Sequence, residues 1–130
     1  TVIMCSFISM FFITRLRQFA WHRPVWLTRA PTFADKADLF PGACFVVGAD
    51  TAERVIAPRY YPRGEPGMRE ALESIRARGC GFLVAARRGP HGALTRLSDL
   101  DLPAGLEGLF REIPPASFRL DISSTDLRGR

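Results

Sequence analysis

Cysteine is sparse in this sequence, and the spacing of the few cysteines excludes two kinds of site. The 130 residues contain three of them, Cys5, Cys44 and Cys80. An odd number of widely separated cysteines predicts neither a disulfide framework nor a zinc site. This usage indicates a reduced, cytoplasmic setting. Cys44 and Cys80 each begin an apolar stretch, so we expect both to be buried free thiols.

Long apolar runs are also missing. A helix needs about 20 predominantly apolar residues to cross a bilayer, whereas the longest apolar-rich stretch covers residues 1–13 and is interrupted by Ser6 and Ser9. We therefore expect no membrane partner. The stretch has no clear period and fits a strand, the end of a buried helix, or irregular, non-native sequence.

The basic residues are almost all of one type. Lys36 is the single lysine against seventeen arginines, and the net charge is +5. The arginines are scattered along the chain, whereas a nucleic-acid surface concentrates them on one face or one helix. We interpret them as a solvated surface and predict no nucleic-acid partner. Small phosphorylated ligands remain compatible with this charge.

The remaining pattern is that of one globular α/β domain. Hydrophobic residues make up 47% of the chain and charged residues 24%, which suffices for a single core at this length. The predicted strands are residues 24–28, 44–47, 82–85 and 118–122. They are short and continuously apolar, so we expect them to be buried. The predicted helices are residues 33–40, 52–57, 68–78 and 106–112. Strands that alternate with helices predict a Rossmann-like parallel sheet with helices on both faces.

Polar residues mark the starts of two predicted helices. Thr32 stands three residues before Asp35, which predicts an N-cap for helix 33–40. Asp50 or Thr51 can cap helix 52–57 in the same way. Each start then follows closely after a predicted strand.

Helix 68–78 has the most regular pattern in the chain. Met68, Leu72 and Ile75 recur at helical spacing and predict one apolar face. Gly79 follows the last periodic residue and predicts the end of the helix, because glycine readily adopts the left-handed conformation found there.

Polar residues follow every predicted strand, at the sheet edge where α/β proteins bind ligands. They are Thr28, then Gly48 and Asp50, then Arg87, and finally Ser123, Ser124 and Thr125 with Arg128. The last group places three hydroxyls and unpaired backbone N–H groups at a helix start, with an arginine one turn later. This combination suits a polyphosphate. The alternative is an ordinary N-cap beside a surface arginine.

Two of the other three groups, Gly48 with Asp50 and the single Arg87, also allow two interpretations each. Gly48 can let a ligand approach the backbone closely, with Asp50 binding ribose hydroxyls or a ring. It can equally end a strand tightly, with Asp50 as a helix cap. Arg87 can pair with a phosphate or remain solvated. The groups together, at successive strand ends, indicate a site more strongly than any one of them.

These residues resemble those of a known family. Residues 121–128, DISSTDLR, are similar to the ISSTxxR signature of the nucleotidylyltransferases, which include nicotinate- and nicotinamide-nucleotide adenylyltransferases and cytidylyltransferases. Residues 45–51, FVVGADT, resemble the family's strand ending in G-x-D. Residues 82–87 resemble the strand whose terminal arginine lies beside the nucleotide. The resemblance extends over residues 14–128.

The resemblance implies a role for each matching residue. Ser123, Ser124, Thr125 and Arg128 would bind the triphosphate, and Gly48, Asp50 and Arg87 would line the nucleotide site. Thr28, Thr32 and Phe33 stand where the pyridine-nucleotide enzymes hold their acceptor. The implied reaction transfers a nucleoside monophosphate, AMP or CMP with AMP favoured, to a phosphorylated small molecule such as a pyridine mononucleotide, with release of pyrophosphate. Mg²⁺ would accompany ATP or CTP, and no metal would be held by the protein itself.

One departure from the family concerns catalysis. The family's first strand leads into an H-x-G-H motif, whose histidines stabilise the transferring phosphates. Here the two histidines are His22 and His91, and neither belongs to such a motif. We therefore expect the chain to represent the C-terminal two-thirds of a nucleotidylyltransferase domain, without the first strand and without transferase activity on its own. The alternative is a non-catalytic nucleotide-binding module that has lost the histidines.

Overall fold

The computed structural model describes residues 3–5, 24–88 and 92–114. The chain divides into two compact units, residues 1–36 and 37–130. The first unit, at 36 residues, is smaller than an independently stable domain ordinarily is. The division into two units is therefore not evidence for two domains, and the expectation of one domain stays a prediction. No helix in the described ranges is both long enough and apolar enough to span a bilayer.

The first unit contains a pair of short parallel strands. Strand β1 (Ile3–Cys5) pairs with β2 (Val25–Leu27), which confirms the strand predicted at residues 24–28. The prediction that this strand is buried is wrong, because Trp26 and Leu27 are both exposed. The apolar run predicted the strand correctly but not the exposure of its side chains.

Helix α1 (Phe33–Leu39) begins at the predicted cap. The Asp35 N–H donates to Thr32 Oγ1 (3.1 Å), while the Thr32 hydroxyl and N–H both donate to the Asp35 carboxylate (2.6 and 3.2 Å). This reciprocal arrangement satisfies backbone donors that the first turn leaves unpaired. The cap is therefore confirmed in both directions.

The strands and helices of the second unit are β3 (Cys44–Gly48), α2 (Ala49–Val55), α3 (Gly64–Ala77), β4 (Gly81–Ala85), β5 (Arg87–Arg88), β6 (Leu94–Thr95) and β7 (Phe110–Ile113). Three of the strands form a parallel sheet in the order β3–β4–β7. Strands β5 and β6 form a separate antiparallel hairpin. Short 3₁₀ turns lie at Pro58–Tyr60, Leu97–Asp99 and Glu107–Leu109. The fold is mixed α/β, with a parallel sheet flanked by helices.

A row of phenylalanines crosses the sheet and forms the centre of the core. Phe45, Phe82 and Phe110 stand opposite one another in register. Their ring centroids are separated by 5.6 Å and 5.0 Å, within the range of favourable aromatic pairs. The core is completed on the helices by buried residues at helical spacing, namely Ala49, Ala52 and Val55 of α2 and Met68, Leu72 and Ile75 of α3.

Helix α3 confirms the predicted apolar face but begins one turn earlier than predicted. Pro66 lies in its first turn, where the missing N–H has no helical partner to lose. The helix ends as predicted, with Gly79 at φ +70°. The Gly79 N–H donates to Arg76 O and the Cys80 N–H to Ile75 O, the bond pattern of a Schellman motif.

The helix predicted at residues 106–112 is wrong. Glu107–Leu109 forms a 3₁₀ turn, and Phe110–Ile113 is strand β7, which lies beside β4. Pro114 disfavours helical backbone at the residue before it, and Phe110 gains a stacked contact with Phe82 by entering the sheet. The strand predicted at residues 118–122 lies outside the described residues.

The start of α2 also differs from its prediction. The helix begins at Ala49 rather than at residue 52, and its N-cap residue is Gly48, with no side-chain hydrogen bond to the helix. Neither Asp50 nor Thr51 is therefore the cap. Asp50 lies in the first turn instead, where a carboxylate interacts favourably with the positive end of the helix dipole.

Burial alternates along β3, although continuous burial was predicted. Phe45 and Val47 face the core, while Val46 is 58% exposed on the opposite face. Cys44 shares the exposed face, so the prediction of a buried thiol there is wrong. Cys80 is buried as predicted, and its Sγ lies 3.4 Å from the Phe40 carbonyl oxygen, within the range of an S–H···O hydrogen bond.

Candidate functional site: the carboxyl ends of β3 and β4

Two predicted site groups lie side by side because their strands are paired. Gly48, the last residue of β3, stands opposite Ala85, the last residue of β4. Asp50 follows β3 by two residues, and Arg87 follows β4 by two residues. Parallel pairing in this register brings both side chains to one edge of the sheet.

Asp50 and Arg87 form an ion pair across that edge. Arg87 Nε lies 3.7 Å from Asp50 Oδ1, and the two side chains are 35% and 49% exposed. The distance exceeds that of a hydrogen bond, so the attraction is electrostatic. Pairs of this exposure contribute little to stability, and both charged groups keep most of their hydrogen-bonding capacity for a ligand.

Gly48 leaves room for this pair. A Cβ atom at position 48 would lie 2.6 Å from Asp50 Oδ1 and 3.4 Å from Arg87 Cδ. The backbone there is extended, with φ −77° and ψ 159°, a conformation that any residue adopts. Gly48 is therefore closely approached by the Asp50 side chain without any backbone conformation that requires glycine, and the approach of a ligand there stays a prediction.

The backbone of Arg87 is held by the hairpin that follows β4. Arg87 pairs with Thr95 and Arg88 with Leu94 in the β5–β6 ladder. The Arg88 Nη1 also donates to the Gly92 carbonyl at 3.3 Å. Because the ladder pairs the backbone at Arg87, this side chain extends from a strand rather than from an unpaired loop.

The residues predicted to bind the acceptor lie in the first unit. Thr28 follows β2 and is half-buried. The Thr32 hydroxyl is engaged in the cap of α1, and the Lys36 Nζ lies 5.0 Å from the centroid of the Phe33 ring, a cation–π contact. These contacts give Thr32 and Phe33 structural roles, and their binding of an acceptor stays a prediction.

The predicted phosphate cradle, meaning the residues expected to bind the triphosphate, and the histidines lie outside the described residues. This applies to Ser123, Ser124, Thr125 and Arg128, and also to His22 and His91. The part of the site that the structure describes thus consists of Gly48, Asp50 and Arg87.

Adjacent tyrosines between α2 and α3 have different roles, which the sequence pattern did not separate. The Tyr61 hydroxyl donates to the Val55 carbonyl at 2.7 Å, and burial raises the pKa of Tyr61. Tyr60 is exposed, with the Arg59 guanidinium 5.0 Å from its ring centroid. Tyr61 therefore fixes the segment to α2, and Tyr60 is presented to solvent.

Metal-ligating side chains are not grouped in the described ranges. Among residues 24–88 and 92–114, no three His, Cys, Asp or Glu side chains are close enough to hold an ion. The carboxylate at the strand edge, Asp50, faces an arginine rather than a second acidic residue.

Comparison of the chain with protein-family models, curated proteins and solved structures finds no match. The family resemblance therefore rests on the residues quoted from the sequence.

Proposed function

We propose that the carboxyl edge of β3 and β4 binds a nucleoside triphosphate, as part of a nucleotidylyltransferase-type domain of Rossmann-like architecture with helices on both faces. The observation that supports this proposal is the meeting of Gly48, Asp50 and Arg87 at one sheet edge. Their positions after successive predicted strands suggested a common site, and residues of a common site must lie close together. Open α/β sheets bind ligands at this edge.

Each of the three residues supplies a different property. Gly48 exposes backbone without a side chain, so a ligand can approach closely. Arg87 offers several N–H donors to phosphate oxygens. Asp50 offers carboxylate oxygens to hydroxyl donors. A nucleotide carries both phosphates and hydroxyls, and it satisfies the two charged side chains at once.

The proposed reaction transfers AMP, or less readily CMP, to a phosphorylated small molecule such as a pyridine mononucleotide. An acceptor phosphate oxygen attacks the α-phosphorus of the triphosphate in line, and the bond to the bridging oxygen breaks, releasing pyrophosphate. The chain contributes chiefly position and positive charge. Ser123, Ser124, Thr125 and Arg128 would hold the triphosphate, and Mg²⁺ would bind to the phosphates rather than to a protein cluster.

A second candidate function is a nucleotide-binding module without turnover. The sequence favours it, because neither His22 nor His91 belongs to an H-x-G-H motif. Both candidates require nucleotide binding, and they differ in whether pyrophosphate is released. Both candidates predict no turnover by this chain alone, so the assay with Mg·ATP and a pyridine mononucleotide separates them once a strand with an H-x-G-H motif is supplied in front of it. Release of pyrophosphate above background would contradict the module.

Binding is tested by thermal denaturation with and without Mg·ATP. We expect ATP to raise the melting temperature of the wild type and to lose most of that effect in Arg87→Ala. The matched control is Arg78→Ala, which removes an exposed, aspartate-paired arginine just before β4, near the opposite end of the strand. The control should keep the full ATP-induced rise.

The predicted cradle is tested in the same assay. Ser124→Ala combined with Arg128→Ala should also abolish the rise. If ATP and CTP leave the melting temperature of the wild type unchanged at millimolar concentration, the proposed function is wrong.

A further inference from the structure

The space above Gly48 is occupied by Asp50. The Asp50 Oδ1 atom lies 2.6 Å from the position that a Cβ of residue 48 would take, closer than side-chain atoms approach a real Cβ. The carboxylate therefore folds back over the glycine. The place where a ligand would approach the β3 backbone is filled by a side chain of the protein itself.

Arg87 shares this space. Its Cδ and Nη1 atoms lie 3.4 Å and 3.6 Å from the same Cβ position, and its Nε lies 3.7 Å from Asp50 Oδ1. The cation proposed to bind phosphate thus faces a carboxylate across a bare glycine. An anion that approaches Arg87 must displace this carboxylate or tolerate its negative charge.

We infer that Asp50 is an internal competitor for Arg87: its carboxylate covers Gly48 in the ligand-free protein and must swing away when an anionic group binds. This inference rests on the proposed function for the identity of the site. It adds that Asp50 selects against small anions such as inorganic phosphate or pyrophosphate, which are densely charged and carry no sugar hydroxyls for the displaced carboxylate. Ligands that carry sugar hydroxyl groups compensate for the displacement.

The size of the competition follows from the exposure of the pair. Exposed ion pairs at about 4 Å are weak, so removing the competitor should strengthen anion binding about two- to fivefold. Salt should reduce the difference, because both partners are accessible to screening ions.

The test is calorimetric titration of inorganic pyrophosphate, without Mg²⁺, into four proteins at low ionic strength. Asp50→Asn keeps the shape of the side chain and removes its charge, and it should bind pyrophosphate about two- to fivefold more tightly than the wild type. Asp38→Asn, which neutralises the partner of Arg78, should match the wild type. Arg87→Ala should bind least. Equal or weaker binding by Asp50→Asn, or no binding by any of the proteins, would overturn the inference.

A measurement without ligand separates this inference from the proposed function. The ¹H–¹⁵N signal of Arg87 Nε, assigned by its loss in Arg87→Ala, should shift in Asp50→Asn and stay in place in Asp38→Asn. If Mg·ATP does not change the melting temperature of the wild type, nucleotide binding is disproved, whatever the NMR result. If the Arg87 Nε signal does not shift in Asp50→Asn, the Asp50–Arg87 ion pair does not form in solution, even if ATP binds.

Discussion

Each end of the central sheet carries an exposed arginine–aspartate pair, but the two pairs differ in geometry. Before β4, Arg78 Nε donates to Asp38 Oδ1 at 2.7 Å. Beyond the other end of β4, Arg87 Nε lies 3.7 Å from Asp50 Oδ1. The first pair forms a hydrogen bond and the second does not. Residue types alone would rank the two as equal.

The surroundings of the pairs differ as well. The Arg78 carbonyl accepts a hydrogen bond from the Gly42 N–H (2.8 Å), so the first pair belongs to a closed connection between neighbouring segments. The second pair lies over Gly48, and the described atoms nearest to its Cβ position belong to the two side chains. A closed pair suits a structural role, whereas a loose pair over bare backbone suits a site that opens for a ligand.

The largest effect on stability should come from a substitution in the core, between the two ends of the central sheet. Phe82 is 1% exposed and lies between the rings of Phe45 and Phe110. Phe82→Ala should lower the free energy of unfolding by about 3–5 kcal/mol, through lost burial and the cavity left behind. Val46→Ala, on the exposed face of β3, is the control and should cost less than about 1 kcal/mol. Urea denaturation measures both, and equal losses would contradict the assignment of the two faces.

Replacing one glycine at each end of the central sheet should distinguish an effect on backbone conformation from an effect on a side-chain contact. Gly79 has φ +70°, where a Cβ is strained, so Gly79→Ala should lower the free energy of unfolding by about 1–2 kcal/mol. Gly48 has ordinary extended backbone, so Gly48→Ala should cost less than that. Its methyl group should instead push the Asp50 carboxylate away and shift the Arg87 Nε signal.

Thermal or urea denaturation, together with the NMR signal, checks both substitutions. A Gly48→Ala variant that is as unstable as Gly79→Ala, with an unmoved Arg87 signal, would show that Gly48 serves the backbone rather than the ion pair.

Local patterns predicted the parts of the fold that depend on neighbouring residues. The cap at Thr32, the apolar face of α3 and its glycine end all arise within one or two turns, and all are confirmed. Strand β7 was missed because its residues favour the sheet only through Phe82, which is distant in sequence. Exposure of Val46 and Cys44 could not be predicted either, since an apolar run does not show which face is covered.

The candidate site was predictable as a set of positions but not as an interaction. The polar residues that follow the predicted strands included Asp50 and Arg87, and the parallel register brings them together. Their ion pair was not predicted, because neither interpretation of Asp50, as a ligand-binding carboxylate or as a helix cap, includes a contact with Arg87. The signal that could have shown it is Gly48, two residues before Asp50. Residue 48 has no side chain to cap the helix and leaves space beside it, and the Asp50 carboxylate turns through this space towards the neighbouring strand.

The smallest expected effect directly compares the two pairs, by double-mutant cycles. Asp38→Ala with Arg78→Ala should show a coupling of about 0.5–1 kcal/mol, because the pair is hydrogen-bonded, whereas Asp50→Ala with Arg87→Ala should show about 0.3 kcal/mol or less. Urea denaturation at low salt measures both cycles. At high salt both couplings should shrink, since the side chains are exposed. A larger coupling at the carboxyl end would mean that the Asp50–Arg87 pair stabilises the fold, and the contrast between a closed pair and one that opens would no longer hold.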